Sequence, residues 1–440
     1  MLKNFAIDDL GGVSELRYQS PNVCDGSTLT TFAALLKDRF MDSSMVEELV
    51  YPENPLLTML EKRGDTGMMG DQMPVPILNA NPQGVGQTFS TAQTNATNIA
   101  AQKFNIVAGD YYGVVQIGDK VLMASRTNQG AYLENKKVEI DGLYETAGEN
   151  LSIYTWGNGG QSIGQVGNIQ NTNDIVLTAP ETITGFEIGM LVVASATDGS
   201  DPTNTVRLGS ATVSAVNRST GLITLNTVAG ITGLANGDFL FRQSDFFGNT
   251  GNIVIAGVQA FVTPNDTPPA LWGMTAAVRA TDPQRFAGCR VQTSTIVGKT
   301  FEERIKILLA QMTGRFKAKA PTSGWMHPED FQVLETLMQA RGLRALEDDT
   351  TQFGFSRIDI MTSAGRIPIY CDRHCPRGNF FAFRLENWWI SSMGELLHPQ
   401  TGDGLEILRR ATSTDYEFRL LSYPLLACAA PKNSGRVSLV

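Results

Sequence analysis

Hydrophobic residues between positions 130 and 156 recur on a helical period. Leu133, Ile140, Tyr144, Ala147, Leu151 and Tyr154 follow one another at spacings of seven, four, three, four and three, which puts them on one face of an α-helix. Glu134, Lys137, Asp141, Glu145 and Glu149 fall on the opposite side. Gly130 precedes the run and Gly157 ends it, the C-terminal position being one that helices give to Gly. At 1.5 Å per residue the segment predicts a rod of about 40 Å. Gly142 and Gly148 lie inside it and cost about 1 kcal/mol each relative to Ala, so tertiary packing has to hold the rod.

The pattern changes over 170–245. IVLTAP, MLVVAS, NTVRLGSATVSAV, GLITLN and DFLFRQ are short β-branched runs separated by turn residues such as Asp198-Gly199 and Asn236-Gly237. Strands at this spacing predict a small barrel or sandwich. Seven acidic residues and three Arg in the segment mark it as a solvated, inserted subdomain. From 250 onward the pattern is mixed α/β. Thr300-Phe301-Glu302-Glu303 is a capping box ahead of Ile305, Leu308, Leu309 and Met312. His327-Pro328-Glu329-Asp330 opens a second helix, and strands are predicted at 367–370, 380–385, 388–391 and 416–421.

Ahead of the rod, Asp42 can cap a helix over SSMVEELV, and MLEKRG reads as a short helix or turn. Residues 64–110 alternate weakly, with Pro74 and Pro76 two apart, which fits an edge strand better than a central one. They predict a long two-stranded excursion, a structure marginal on its own in water.

The tip of that excursion holds the strongest compositional anomaly. The 31 residues from Gln72 to Gln102 contain no Asp, Glu, Lys, Arg or His. The stretch is too polar to span a membrane and too poor in large apolar residues to form a core. Interface centres are depleted in charge, so the arm is expected to lie against another protein surface.

The whole chain has 440 residues, 42% hydrophobic and 18% charged, with a net charge of −9. It is long enough for two or three domains, and its charge argues against a dedicated nucleic-acid binder. No 18-residue apolar run exists and the start MLKNFAIDDLGG lacks a signal core, so folding in a cytoplasm and no membrane partner are expected. Five scattered cysteines fit reduced thiols.

Candidate chemistry is sparse. Cys371-Asp372-Arg373-His374-Cys375 is the one cluster of soft ligands, but a zinc site wants a second pair, and free thiols at a strand-to-loop junction are expected. A GxSxG pattern occurs once, at Gly160-Gln161-Ser162-Ile163-Gly164, but it follows the predicted helix where a nucleophile turn would follow a strand, and three His leave little choice of base. Gly157-Asn158-Gly159-Gly160 follows a helix, where a phosphate loop would precede one. No cofactor, metal or catalytic residue is assigned. Residues 279–319 hold nine Lys or Arg against three acids, expected as a subunit-contact or solvated face.

The order of parts resembles the major capsid protein of tailed bacteriophages. The resemblance rests on FNIVAGDYYGVVQIGDKVLMAS before the rod, the rod itself, TWGNGGQSIGQVGNI after it, SGWMHPEDFQVLETL, and GRIPIYCDRHCPRGNFFAFRLENWWISSMGE. It covers about 50–170 and 250–435. It implies an α+β fold with an N-terminal arm (1–63), an extended hairpin loop (64–110) and a peripheral domain (111–169) carrying the spine helix 130–156. An inserted all-β domain (170–245) and an axial domain with the remaining peripheral strands (246–440) complete it.

The resemblance also implies a non-enzymatic function. Identical subunits in hexamers and pentamers would close an icosahedral shell, a virion built in a bacterial cytoplasm around double-stranded DNA. A portal would join them, with decoration or scaffolding proteins as further partners. Contact between subunits is expected at Pro74, Pro76, Ile77, Asn79, Gln87, Phe89, Gln93, Asn95, Arg304 and Arg315. Some members of the family seal the shell with a Lys–Asn isopeptide bond from the loop; here the segment from Gly64 to Gln102 has no Lys, so no crosslink is expected. The alternatives are an encapsulin-type compartment and, in a different class, a β-rich glycan-binding protein on 170–245; an enzyme ranks behind both.

Overall fold

The computed structural model describes residues 54–64, 67–118, 129–171, 173–200, 205–243, 245–246, 254–340, 357–363, 365–401, 407–409 and 415–439. The helix expected at 43–50 lies outside them. The chain is mixed α+β, and its axis is the helix Gln129–Trp156. Ile140, Tyr144, Ala147, Leu151 and Tyr154 are buried along one side of it, as the period of 3.6 requires. The helix begins one residue ahead of Gly130, so that glycine sits within its first turn.

Pro55–Met59 is a short helix with Pro at its first turn, and Leu56 and Leu57 are fully buried. MLEKRG is therefore not one helix or turn. Its last part is strand β1 (Glu61–Arg63), paired in parallel with residues 389–391. Strands β2 (Gln72–Ala80) and β3 (Ala100–Val107) form an antiparallel two-stranded sheet, and β4 (Tyr111–Ile117) then runs against the long helix.

Six strands close a barrel: β5 (Gly164–Ile169), β6 (Asp174–Leu177), β7 (Leu191–Ser195), β8 (Ala211–Asn217), β9 (Leu222–Leu225) and β10 (Phe239–Arg242), in the order β10-β5-β6-β9-β8-β7. Closure leaves the barrel no free edge. Val166, Ile175, Val192, Val213, Ile223 and Leu240 fill it. The barrel takes in β5, which lies ahead of the expected start at 170.

The rest supplies β11 (Cys289–Arg290), β12 (Ser323–Met326), β13 (Arg357–Thr362), β14 (Gly365–Cys371), β15 (Asn379–Phe383), β16 (Trp388–Ser392), β17 (His398–Pro399), β18 (Ile407–Arg409), β19 (Tyr416–Ser422), β20 (Pro424–Cys428) and β21 (Gly435–Ser438). A six-stranded sheet, β11-β21-β15-β12-β14-β13, packs against the helices Phe301–Thr313 and Pro328–Ala340 around a second core of Leu308, Met312, Leu334, Ile369 and Phe380. The expected capping box is present on the first of these helices. Strand β19 pairs along all of β4 from Tyr416↔Ile117 to Ser422↔Tyr111, so residues 300 positions apart share the sheet beside the long helix.

The basic stretch 279–319 is not a single face. Arg279 is fully buried and donates to the carbonyls of Pro269 and Ala260 at 2.7 and 2.8 Å. Arg290 is 6% exposed and pairs with Asp266 and Thr263. Both hold loops together through these carbonyl, hydroxyl and carboxylate acceptors, which satisfy most of each guanidinium and leave Arg279 Nε and Arg290 Nη2 without an acceptor.

Candidate subunit interface

The β2–β3 hairpin is anchored at its root and bare at its tip. Met73, Val75 and Ile77 on β2 and Phe104 and Ile106 on β3 point inward and are 5% exposed or less. Phe104 meets Phe261 edge-on, with ring centres 5.6 Å apart. Backbone bonds join Asn105 N–H to Trp272 O, Ala108 N–H to Asp71 O and Gly109 N–H to Pro424 O. Further out, the Arg285 guanidinium donates to the carbonyls of Leu78 and Asn79 while pairing with Asp282.

Beyond Ala80 no side chain is buried until Phe104. The tip nevertheless has a defined shape. Thr88 caps a six-residue helix, Phe89–Thr94, by accepting from Thr91 N–H. Gln83 N–H donates to Thr97 Oγ1 at 2.9 Å, and Asn95 Nδ2 to the Val85 carbonyl at 3.0 Å. Short polar side chains here replace the backbone pairing that a regular strand would supply. The apolar residues this scaffold presents, Val85, Phe89 and Ile99, are 75%, 79% and 61% exposed.

The expected contact residues divide accordingly. Gln87, Phe89, Gln93 and Asn95 are brought together on the exposed tip, and Pro76 is exposed on β2. Pro74 and Asn79 are half-buried at the root. Ile77 is 4% exposed and belongs to this subunit's own core. Its alternation with Pro76 and Leu78 places it on the inward face, so it is not a contact side chain. Arg304 is half-buried and donates to the carbonyls of Lys299 and Ser438, whereas Arg315 is exposed beyond the same helix. Neither lies on the hairpin. Sequence reasoning did not single out Arg285, whose link to Leu78 spans 207 positions and has no local signature.

The Cys371–Cys375 segment is structural. Asp372 is buried at the end of β14 and accepts from the N–H groups of Leu56 and His374. Burial, then the Arg373 cation whose Nε donates to its ring, push the His374 pKa down to about 3, so the imidazole is neutral. Burial raises the Cys371 and Cys375 thiols, which leaves them poor nucleophiles and ligands. Among the described residues no group of three or more His, Cys, Asp or Glu could hold a metal ion. Gly160 lets the turn after the long helix touch the loop 198–200, because a Cβ there would fall 1.9 Å from the Asp198 carbonyl oxygen. That is close packing, not a phosphate cradle.

No protein-family model and no curated protein sequence matches the chain. Among solved structures it is similar to the capsid asymmetric unit of cyanophage A-1(L), at 12% identity and a TM-score of 0.48, over 96% of this chain and 99% of that one. It is similar to Mycobacterium phage Ogopogo at 9% identity and 0.40, over 88% and 92%. It is also similar to an encapsulin complex from Synechococcus elongatus at 8% identity and 0.40, over 88% of each chain.

Proposed function

We propose that this chain is the structural subunit of a closed protein shell, a major capsid protein of the tailed-phage type. Copies in hexamers and pentamers would enclose double-stranded DNA, with a portal and decoration or scaffolding proteins as further partners and the virion as the site of action. One observation carries the reading. The hairpin holds out an internally braced, charge-free tip that buries none of its side chains in its own subunit. Such a surface gains from being covered by another protein, since it carries no charge to desolvate.

The remaining architecture suits repetition. Symmetric assemblies repeat one set of modest contacts many times, and here the hairpin tip offers the exposed Val85, Phe89 and Ile99 for such a contact. Among the described residues no helix is long and apolar enough to cross a membrane. The test is to express the full chain and examine it by negative-stain microscopy and analytical ultracentrifugation. Closed shells or tubes are expected, and a persistent monomer across the concentration range would overturn the reading. Shells that enclose protein cargo and no nucleic acid would move it to an encapsulin-type compartment.

A further inference from the structure

The two edges of the hairpin differ in their chemistry. On β3, the Asn105 N–H donates to the Trp272 carbonyl at 3.0 Å, so part of that edge is covered by the same chain. The bond also fixes the phase of the ladder. Asn105 stands opposite Pro74, and its N–H points away from β2, so the two form a non-hydrogen-bonded pair. By alternation, Pro76–Lys103 and Leu78–Ala101 are non-hydrogen-bonded pairs too. The backbone groups of Pro74, Pro76 and Leu78 therefore face outward along β2. The Arg285 guanidinium reaches the carbonyls of both Leu78 and Asn79 where a register shift between Leu78 and Ala80 ends the regular ladder.

At the start of β2 the outward Gln72 is bridged to Met69, and beyond it, among the described residues, no strand pairs with this outer side of β2. An open edge normally exposes alternating donors and acceptors and invites another strand. Here residues 74 and 76 have no N–H, so the edge shows the carbonyls of Pro74 and Pro76 with no donor beside either. A strand laid against it would leave two of its own carbonyls unmatched, at a cost of about 1–3 kcal/mol each once buried. The usual alternative protection is charge, often Lys, and β2 has none. Without its prolines, QMPVPILNA would be an uncharged, β-prone segment of the kind that stacks into cross-β structure.

We propose that Pro74 and Pro76 close the outer edge of β2 to strand addition. Copies of this chain then meet at the hairpin tip and through side chains, and not by continuing one another's sheets. The proposal requires only that copies meet, so it is separable from the shell reading. The assembly state of the natural chain tests the shell, and the difference between that chain and the variants below tests the edge.

The experiment uses the full chain carrying Pro74→Thr and Pro76→Thr, which restore both N–H groups with a β-favouring residue, beside Pro74→Thr with Pro76→Lys, which restores them and adds an edge charge. The Thr/Thr variant is expected to keep the natural chain's near-ultraviolet circular dichroism on purification. It should then convert, several-fold faster as concentration rises, into large species that bind thioflavin and diffract at about 4.7 Å. The Thr/Lys variant should behave as the natural chain does. The proposal is overturned if Thr/Thr sediments and binds dye like the natural chain, if Thr/Lys converts as fast as Thr/Thr, or if conversion follows only on loss of the folded signal. Should Thr/Thr fail to fold, the single Pro76→Thr variant, at an exposed position, carries the same readouts.

Discussion

Tyr154, in the last turn of the long helix, donates its phenolic hydrogen to Asp245 Oδ2 at 2.5 Å, across 91 positions and just past the last strand of the barrel. The bond ties the barrel to the frame at a part-buried point, with Tyr154 2% exposed and Asp245 half-buried. Burial raises the Asp245 carboxyl, and the Tyr154 hydrogen bond and the Arg242 cation only partly offset it.

Two substitutions separate the hydrogen bond from the buried charge. Tyr154→Phe removes the donor and leaves the carboxylate under-satisfied, and should cost about 1–3 kcal/mol in chemical denaturation at neutral pH. Asp245→Asn keeps an acceptor for Tyr154 and removes the charge, and should stabilise. The sign follows from the raised folded-state pKa. The folded state holds this proton more tightly than the unfolded chain, so the carboxyl's contribution is most favourable below the ordinary value of 3.8 and is lost as pH rises through the folded value. The advantage of Asn over Asp should therefore be present at pH 7 and vanish below about 3.8; a gain unchanged by pH would refute the account.

Arg285 holds the outer part of β2 by its carbonyls and is about one-third exposed. Arg285→Met keeps most of the stem and removes the donors, at an expected cost of about 1 kcal/mol. The loss should be local. Amide exchange at residues 77–80 and 100–103 should speed up several-fold while the second core, around Leu308 and Phe380, exchanges as before. A uniform acceleration through both regions would mean that Arg285 supports the whole fold.

The elements that could be read from the sequence were those whose own side chains carry the pattern. The long helix has a repeating apolar face, the helix at Phe301 has its capping box, and five of the barrel strands are short runs of β-branched or aromatic residues. Strand β5, GQVGNI, has two glycines and little alternation, so it took its form from closing the barrel. Strand β1 is three exposed polar residues held by a parallel pairing more than 300 positions away. Arg279 and Arg290 showed their charge in the sequence but not the carbonyl and carboxylate groups folded around them. At the hairpin, composition located the exposed tip, whereas Ile77 depended on which face of β2 turned inward, and strand phase is set by pairing.

If copies close a shell as proposed, the absence of Lys from Gly64 to Gln102 has a direct consequence for the particles. Lys103 lies on β3 opposite Pro76, at the hairpin's shaft rather than its tip. Particles boiled in denaturant and reductant should run as single chains on a gel. A ladder of covalent multimers would show that another nucleophile seals the shell.

The division of the hairpin into core and contact residues can be tested with two substitutions. Phe89 is 79% exposed on the tip helix and Ile77 is 4% exposed at the root. Phe89→Ser changes nothing the subunit packs against, so its unfolding free energy should stay within about 0.5 kcal/mol, while shell yield by ultracentrifugation should fall at least several-fold. Ile77→Ala removes buried methyl groups beside Phe104 and should cost about 2–5 kcal/mol, reducing shells only in proportion to the folded subunit lost. If Phe89→Ser assembled normally, the exposed tip would not be the contact surface, and the shell reading would lose the observation that carries it.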